Sequence, residues 1–95
     1  MATRTIVHKE IIVKGRVQGV GFRANAKRVA DSMQVQGQVK NLLDGSVWIL
    51  AEGTAEKMED FIAWCRSGPA MAAVREVEIT DGEVEHIKGF TILYS

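Results

Sequence analysis

Apolar and polar residues alternate along the first part of the chain, in the segment TIVHKEIIVK that spans residues 5 to 14. Val7, Ile11 and Val13 fall on alternate positions, and all the apolar residues of the segment are β-branched. This pattern is typical of a strand with one buried face. Gly15 follows it, and we expect the strand to end there.

The apolar period then changes from two residues to that of a helix. The positions that share one helical face are Phe22, Ala26, Val29, Ala30 and Met33. Their spacing predicts a first helix from about residue 22 to residue 34.

Two short strands joined by a tight turn are predicted next. Gly37 opens the first strand, with Val39 as its apolar position, and Asp44-Gly45 supplies the residues that a hairpin turn with positive φ prefers. The second strand, SVWILAEG, covers residues 46 to 53. It carries Val47, Ile49 and Ala51 on one face and Trp48 and Leu50 on the other. Apolar residues on both faces indicate a central strand.

A second helix is predicted after Thr54, which is a suitable N-cap, and Glu56 lies in the first turn where a negative charge suits the helix dipole. Its buried stripe is formed by Met58, Phe61, Ile62 and Cys65. The sequence Ser67-Gly68-Pro69 is expected to end it.

Alternation through Val77 and Ile79 predicts a fourth strand over residues 74 to 80. The closing GFTILYS, with Phe90 and Ile92 facing inward, is compatible with a short fifth strand.

The element order β-α-β-β-α-β predicts an α+β fold of the ferredoxin-like type, an α/β sandwich in which two helices cover one face of an antiparallel sheet. The length fits a single domain over residues 1–95. Right-handed crossovers make strands one and two run in the same direction, with strand three between them. The loop after strand one and Asn41, at the end of strand two, are therefore expected to be neighbours.

The charge balance excludes a protein that attracts polyanions over its whole surface. Twelve Lys and Arg residues offset twelve Asp and Glu residues, so we expect neither a nucleic-acid nor a membrane partner, and any anion must be held locally. The single cysteine, Cys65, excludes an intramolecular disulfide and a zinc cluster and fits a reducing compartment. The N-terminal MATRTIVHKE interleaves charged and apolar residues, unlike a signal peptide or membrane span, so a cytoplasmic location is expected.

The stretch KGRVQGVGFR places Arg23 at the start of the first helix, where the helix dipole disfavours a positive charge. An anion bound in the loop would explain the arginine, because helix N-terminal amides, glycine-loop amides and the guanidinium would all point at it. Gly15, Gly19 and Gly21 would let the backbone curl around that anion. The alternative is an ordinary strand-to-helix connection with a surface arginine. Neither the dinucleotide fingerprint nor the Walker loop is present.

Three segments together resemble the acylphosphatase family: GRVQGVGFR at 15 to 23, GQVKNLLDGSV at 37 to 47 and CRSGPAMAAV at 65 to 74. The resemblance implies hydrolysis of the carboxyl-phosphate anhydride of small acyl phosphates to a carboxylate and inorganic phosphate, without metal or cofactor. It implies that Arg23 binds phosphate and that Asn41 orients the attacking water. The substrate-binding loop it implies consists of Gly15, Arg16, Val17, Gln18, Gly19, Val20, Gly21, Phe22 and Arg23.

The chain departs from the family pattern at Gln38 and Ala24, where aromatic residues are usual or common, and it ends in Tyr94-Ser95 instead of a basic residue. The first two changes lie beside the expected site and bear on rate and substrate preference. No protein base is evident in either motif, so a phosphate oxygen of the substrate is a candidate proton acceptor that is consistent with the family, and the sequence leaves the identity of the acceptor open. A monomer inhibited by its product, inorganic phosphate, is expected.

Two other function classes use the same element order. An RNA-recognition module needs aromatics on the open sheet face, where only Trp48 and Tyr94 are candidates, and usually a basic surface. A phosphate-binding module without turnover would use the loop but not Asn41. The remaining polar candidates have structural explanations: a strand position for His8 and Glu10, a polar segment for His86, the turn for Asp44 and the helical stripe for Cys65.

Overall fold

Five strands and two helices make up residues 5–94, the part of the chain that this computed structural model describes. Residues 1–4 and Ser95 lie outside the described residues. They are part of the predicted domain span, and they include the start of the N-terminal segment and the last residue of the C-terminal dipeptide. The elements are β1 (Ile6–Arg16), α1 (Phe22–Met33), β2 (Gln36–Asn41), β3 (Val47–Thr54), α2 (Ala55–Ser67), β4 (Ala73–Gly82) and β5 (Phe90–Ile92). The predicted ferredoxin-like order and the fifth strand are confirmed.

The sheet has the strand order β4-β1-β3-β2-β5, so β3 is central, as its two apolar faces predicted. Ile49 in β3 lies opposite Ile11 in β1 and Val39 in β2, which places three buried side chains side by side on one face. Both helices pack against that face, since their apolar stripes belong to the same core cluster as these strand residues.

The prediction of an antiparallel sheet is wrong for one strand, because β5 pairs in parallel with β2 and makes the sheet mixed. The chain leaves β4 at one edge of the sheet and enters β5 at the other. Between them, residues 83–89 pass the end of the central strand, where two of their amides donate to Glu52. The chain then runs alongside β2 in the same direction. The carboxyl ends of β1, β2 and β5 therefore all lie at the same end of the sheet.

The prediction that β1 ends at Gly15 is also wrong. The strand continues to Arg16 through a register shift between Lys14 and Gly15, beyond which Gly15 lies opposite Val74 in β4. Gly15 has φ +129, and a Cβ there would lie 2.3 Å from the carbonyl oxygen of Ala73. Glycine is therefore required by the close approach of β4 and not by a turn.

Both helix predictions are confirmed at their boundaries. The Thr54 hydroxyl caps α2 by accepting a hydrogen bond from the Lys57 amide at 3.2 Å, and Gly68 follows the last helical residue with φ 70. Within residues 5–94, neither helix is long and apolar enough to cross a membrane.

Candidate active site

The end of the sheet at which β1, β2 and β5 finish carries an open hollow with a volume of about 160 Å³. Its wall consists of Val17, Gly19, Gly21, Phe22, Arg23, Ala24, Asn41, Ile92 and Tyr94. The loop after β1, the start of α1, the last residue of β2 and the end of β5 thus share one small space. The structure brings the glycine loop and Asn41 together, as the predicted topology required.

The loop presents its backbone because two glycines adopt the left-handed conformation. Gly19 has φ +74 and Gly21 has φ +78, and nothing lies within 4 Å of a Cβ built on Gly19. Gly21 is also the N-cap of α1, so it offers no side chain to the first amides of the helix, and residues 5–94 place no acidic side chain in that first turn. Helix N-terminal amides without a protein acceptor attract an anion.

Arg23 is held at the hollow by the end of β5. Its Nη1 donates to the carbonyl oxygen of Leu93 at 3.3 Å, and its guanidinium carbon lies 4.9 Å from the centre of the Tyr94 ring. None of the ion pairs formed among the described residues involves Arg23. The guanidinium is therefore oriented by a carbonyl and a ring, neither of which neutralises its charge.

Asn41 is the last residue of β2 and is half-buried in the wall of the hollow. Its carboxamide offers a donor and an acceptor on the same side chain, which is what the positioning of a water molecule needs. The hairpin that follows is braced by Asp44, whose Oδ1 accepts from the amide of Ser46 at 2.9 Å and from its hydroxyl at 2.6 Å. These two hydrogen bonds lower the pKa of the Asp44 carboxyl.

The nine residues of the predicted substrate-binding loop separate into two groups. Those that line the hollow are Val17, Gly19, Gly21, Phe22 and Arg23. The others are placed elsewhere: Gly15 and Arg16 are paired with β4, Val20 packs against the core, and the Gln18 side chain donates to the β2–β3 hairpin.

Three residues in the wall were not predicted as site residues: Ala24, Ile92 and Tyr94. Ala24 follows Arg23 directly, so its place is a consequence of the helix start. Ile92 and Tyr94 reach the hollow because β5 runs parallel to β2. The apolar positions of GFTILYS indicate a strand but not its direction, so the sequence could not place these two residues at the site.

The other polar candidates lie away from the hollow: His86 is exposed, as its polar segment predicted, and the others have protein partners or buried positions. His8 is 7% exposed and its Nδ1 lies 2.6 Å from Oε2 of Glu52. Glu10 accepts a hydrogen bond from the indole of Trp48 at 2.7 Å. Cys65 is fully buried, and burial raises the pKa of its thiol to about 12, so it is a packed core residue, as predicted. Among residues 5–94 there is no group of three or more His, Cys, Asp or Glu side chains placed to hold a metal ion.

Comparisons with known proteins agree with this geometry. The acylphosphatase family model matches residues 9–92. A curated acylphosphatase from Archaeoglobus fulgidus is 45% identical over 85 residues, which cover 90% of this chain and 96% of that protein. The crystal structure of acylphosphatase from Bacillus subtilis superposes with a TM-score of 0.90 at 38% identity, covering 93% of this chain and 99% of the other. An acylphosphatase structure from Coxiella burnetii gives a TM-score of 0.91 at 32% identity, with coverage of 98% and 100%.

Proposed function

The chain belongs to the acylphosphatase family and is a hydrolase of acyl phosphates, and we propose that Arg23 and the loop amides hold the phosphoryl group while Asn41 positions the attacking water. The products are a carboxylate and inorganic phosphate. The observation that carries this assignment is the convergence of Arg23, the glycine loop and Asn41 on one small hollow.

The hollow suits a phosphoryl group in size and charge. Its volume of about 160 Å³ leaves room for a tetrahedral phosphoryl group. The guanidinium fork can donate two parallel hydrogen bonds to phosphoryl oxygens, and the amides of the left-handed glycines and the helix start can donate others. All these donors are fixed before the substrate arrives, so they can stabilise charge that develops in the transition state.

The water molecule is placed by Asn41 on the side of the phosphoryl group that faces away from the carboxylate leaving group. An acyl phosphate has a good leaving group, so alignment and charge stabilisation are the main requirements. Among the described residues that line the hollow there is no His, Asp or Glu. A phosphate oxygen of the substrate is therefore the proposed proton acceptor, and no metal is assigned a role.

Turnover of benzoyl phosphate in the presence of a chelator tests this proposal. We expect Arg23→Ala to lower kcat/KM by roughly a thousandfold or more and Asn41→Ala by roughly a hundredfold to a thousandfold, the range for charge-stabilising and positioning donors. Arg66→Ala, which removes an exposed arginine from the other helix, is the matched control. Near-normal turnover by Arg23→Ala would exclude the assignment, and phosphate binding without turnover by the wild type would indicate the binding module instead.

We also propose that one chain, acting as a single domain, is sufficient for activity and that inorganic phosphate is a competitive inhibitor. The support is that the features assigned roles, namely Arg23, Asn41 and the glycine loop, meet within one chain, and that the product fits the subsite of the phosphoryl group. A cytoplasmic location is proposed from the buried thiol of Cys65. Sedimentation of the active protein at assay concentration tests the monomer.

A further inference from the structure

Gln18 connects the glycine loop to the hairpin that carries Asn41. Its Nε2 donates to the carbonyl oxygen of Leu42 at 2.7 Å and to that of Ser46 at 2.8 Å. The primary amide has two hydrogens, one for each carbonyl. We infer that Gln18 is a positioning residue that fixes Asn41 relative to the phosphoryl subsite, an inference that rests on the roles proposed above for Arg23 and Asn41.

The hairpin closes without Gln18, so the two hydrogen bonds have another use. The Leu42 amide already donates to the carbonyl oxygen of Ser46 at 2.8 Å, and the Gly45 amide donates to that of Leu42 at 3.2 Å. Gln18 therefore occupies the second lone pair of two carbonyl oxygens that have backbone donors. What the side chain adds is a link across 24 and 28 residues of sequence between two parts of the site.

The link is placed where it acts on the hairpin that carries Asn41. Leu42 follows Asn41 directly and its amide donates to the Ser46 carbonyl, so holding the carbonyls of Leu42 and Ser46 limits movement of the peptide that joins Asn41 to Leu42. Gln18 itself precedes Gly19, whose α-carbon has nothing within 4 Å on the side where a Cβ would stand. The loop is anchored in the core on either side of Gly19 by the buried Val17 and Phe22, so the link uses a fixed loop to hold the hairpin.

The expected kinetic effect follows from the distances involved. An error of about 1 Å in the placement of a reacting group reduces the rate by roughly a hundredfold. Loss of the two hydrogen bonds leaves the hairpin closed by its own backbone, so the displacement of Asn41 is smaller than that. Gln18→Met, which has a similar length and no donors, is expected to lower kcat for benzoyl phosphate by about tenfold to thirtyfold. The inhibition constant for inorganic phosphate should change by less than about threefold, because Arg23 and the loop amides remain.

A double-mutant cycle separates positioning from a general structural role. In the Asn41→Ala background, Gln18→Met is expected to lower kcat by less than about twofold, because the group it positions is already absent. Arg66→Met, at an exposed position of α2 away from the hollow, is the control and should leave kcat unchanged in both backgrounds. Equal losses in both backgrounds, or no loss in either, would overturn the inference.

A second measurement does not depend on turnover, so that failure of this inference differs from failure of the proposed function. In the substrate-free protein, Gln18→Met should shift the side-chain amide resonances of Asn41 in a ¹⁵N NMR spectrum, whereas Arg66→Met should not. Gln18→Glu, which turns acceptors towards the two carbonyls, should shift them further. Unmoved Asn41 resonances in both Gln18 variants would refute the positioning role even in a protein without turnover. An inactive wild type with shifted resonances would refute only the function.

Discussion

The carboxylate of Glu52 lies at the end of the sheet opposite the hollow. Replacing Glu52 with glutamine tests how much this buried carboxylate contributes to stability. Glu52 is 2% exposed. Its Oε2 lies 2.6 Å from Nδ1 of His8 and accepts the amide of Glu85 at 2.5 Å, while Oε1 accepts the amide of Ile87 at 2.9 Å. The carboxylate thus joins β1, β3 and the segment that leads to β5.

Glu52→Gln preserves the volume of the side chain but removes its charge and turns one acceptor into a donor. Hydrogen bonds to charged groups contribute about 1.5–3 kcal/mol each, neutral ones about 1 kcal/mol, and a buried donor left facing another donor costs about 1–3 kcal/mol. Glutamine keeps one acceptor, so at least one of the amides of Glu85 and Ile87 faces a donor, and we expect a loss of about 3 kcal/mol in the free energy of unfolding. At about 4–8 °C per kcal/mol for a domain of this size, Tm should fall by about 12–24 °C.

Urea unfolding at pH 7, followed by tryptophan fluorescence and circular dichroism, measures this difference. Glu59→Gln removes a carboxylate that is exposed on α2 and serves as the control, for which the expected change is within about 0.5 kcal/mol. A loss below about 1 kcal/mol for Glu52→Gln would show that the three hydrogen bonds do not carry the stability assigned to them.

The same carboxylate makes stability depend on pH. Burial raises the pKa of Glu52, but the hydrogen bonds from His8 and the amides of Glu85 and Ile87 outweigh it and lower the pKa below the ordinary value of 4.5. Between the two values the unfolded chain binds the proton and the folded protein does not, so stability falls as the pH drops below about 4.5. The difference between wild type and Glu52→Gln should therefore narrow from pH 5 to pH 3, and equal slopes in both proteins would contradict this.

Three further predictions concern the sheet, the hollow and the core. Gly37→Ala should lower the free energy of unfolding by more than about 3 kcal/mol in urea titrations, because a Cβ would lie 1.7 Å from the carbonyl oxygen of Leu50 at φ +149; a mild effect would contradict the strand geometry. Tyr94→Ala should raise the inhibition constant for phosphate by about twofold to fivefold, since a cation–π contact at an exposed site contributes about 0.5–1 kcal/mol to the placement of Arg23, whereas Tyr94→Phe should not. Iodoacetamide at pH 8 should label Cys65 only on unfolding, because its pKa is about 12 and the thiol is fully buried; rapid labelling of the native protein in a mass spectrum would refute this.

The elements that the sequence predicted well are those with a strong local period. The apolar face from Phe22 to Met33 defines α1 within one residue of its observed end, and Thr54 and Gly68 mark the two ends of α2. The two errors depend on distant residues. The sequence predicts that β1 ends at Gly15, but the approach of Ala73 decides the conformation of this residue. The direction of β5 depends on how the chain crosses the sheet from one edge strand to the other.

The site divides in the same way. The positions of Arg23 and Asn41 follow from topology, because β1 and β2 flank β3, run in the same direction and finish at the same end of the sheet. The side chain of Gln18 could point either into the hollow or away from it, and only the carbonyl groups of the hairpin determine the choice. The contact between Tyr94 and Arg23 spans most of the chain, so no local pattern contains it.

The orientation of Arg23 depends on β5, a strand of three residues that is too short to be stable alone. The strand is held by backbone hydrogen bonds to β2 on both sides of it and by a side chain that packs in the core. The amide of Gly37 donates to the carbonyl oxygen of Gly89 at 2.9 Å and the amide of Leu93 to that of Val39 at 2.8 Å. Phe90, at 3% exposure, packs against the ring of Phe61 with the ring centres 6.0 Å apart.

The placement of the guanidinium is therefore linked to global packing more than to the loop beside it. The Leu93 carbonyl keeps its place beside Arg23 as long as β5 stays paired with β2 and Phe90 stays in the core. Exposing a phenylalanine of this kind costs about 1.5–3 kcal/mol. Glu52 holds the segment that precedes β5, and β5 holds Arg23. The carboxylate that stabilises the fold therefore also supports the orientation of Arg23, through the same strand.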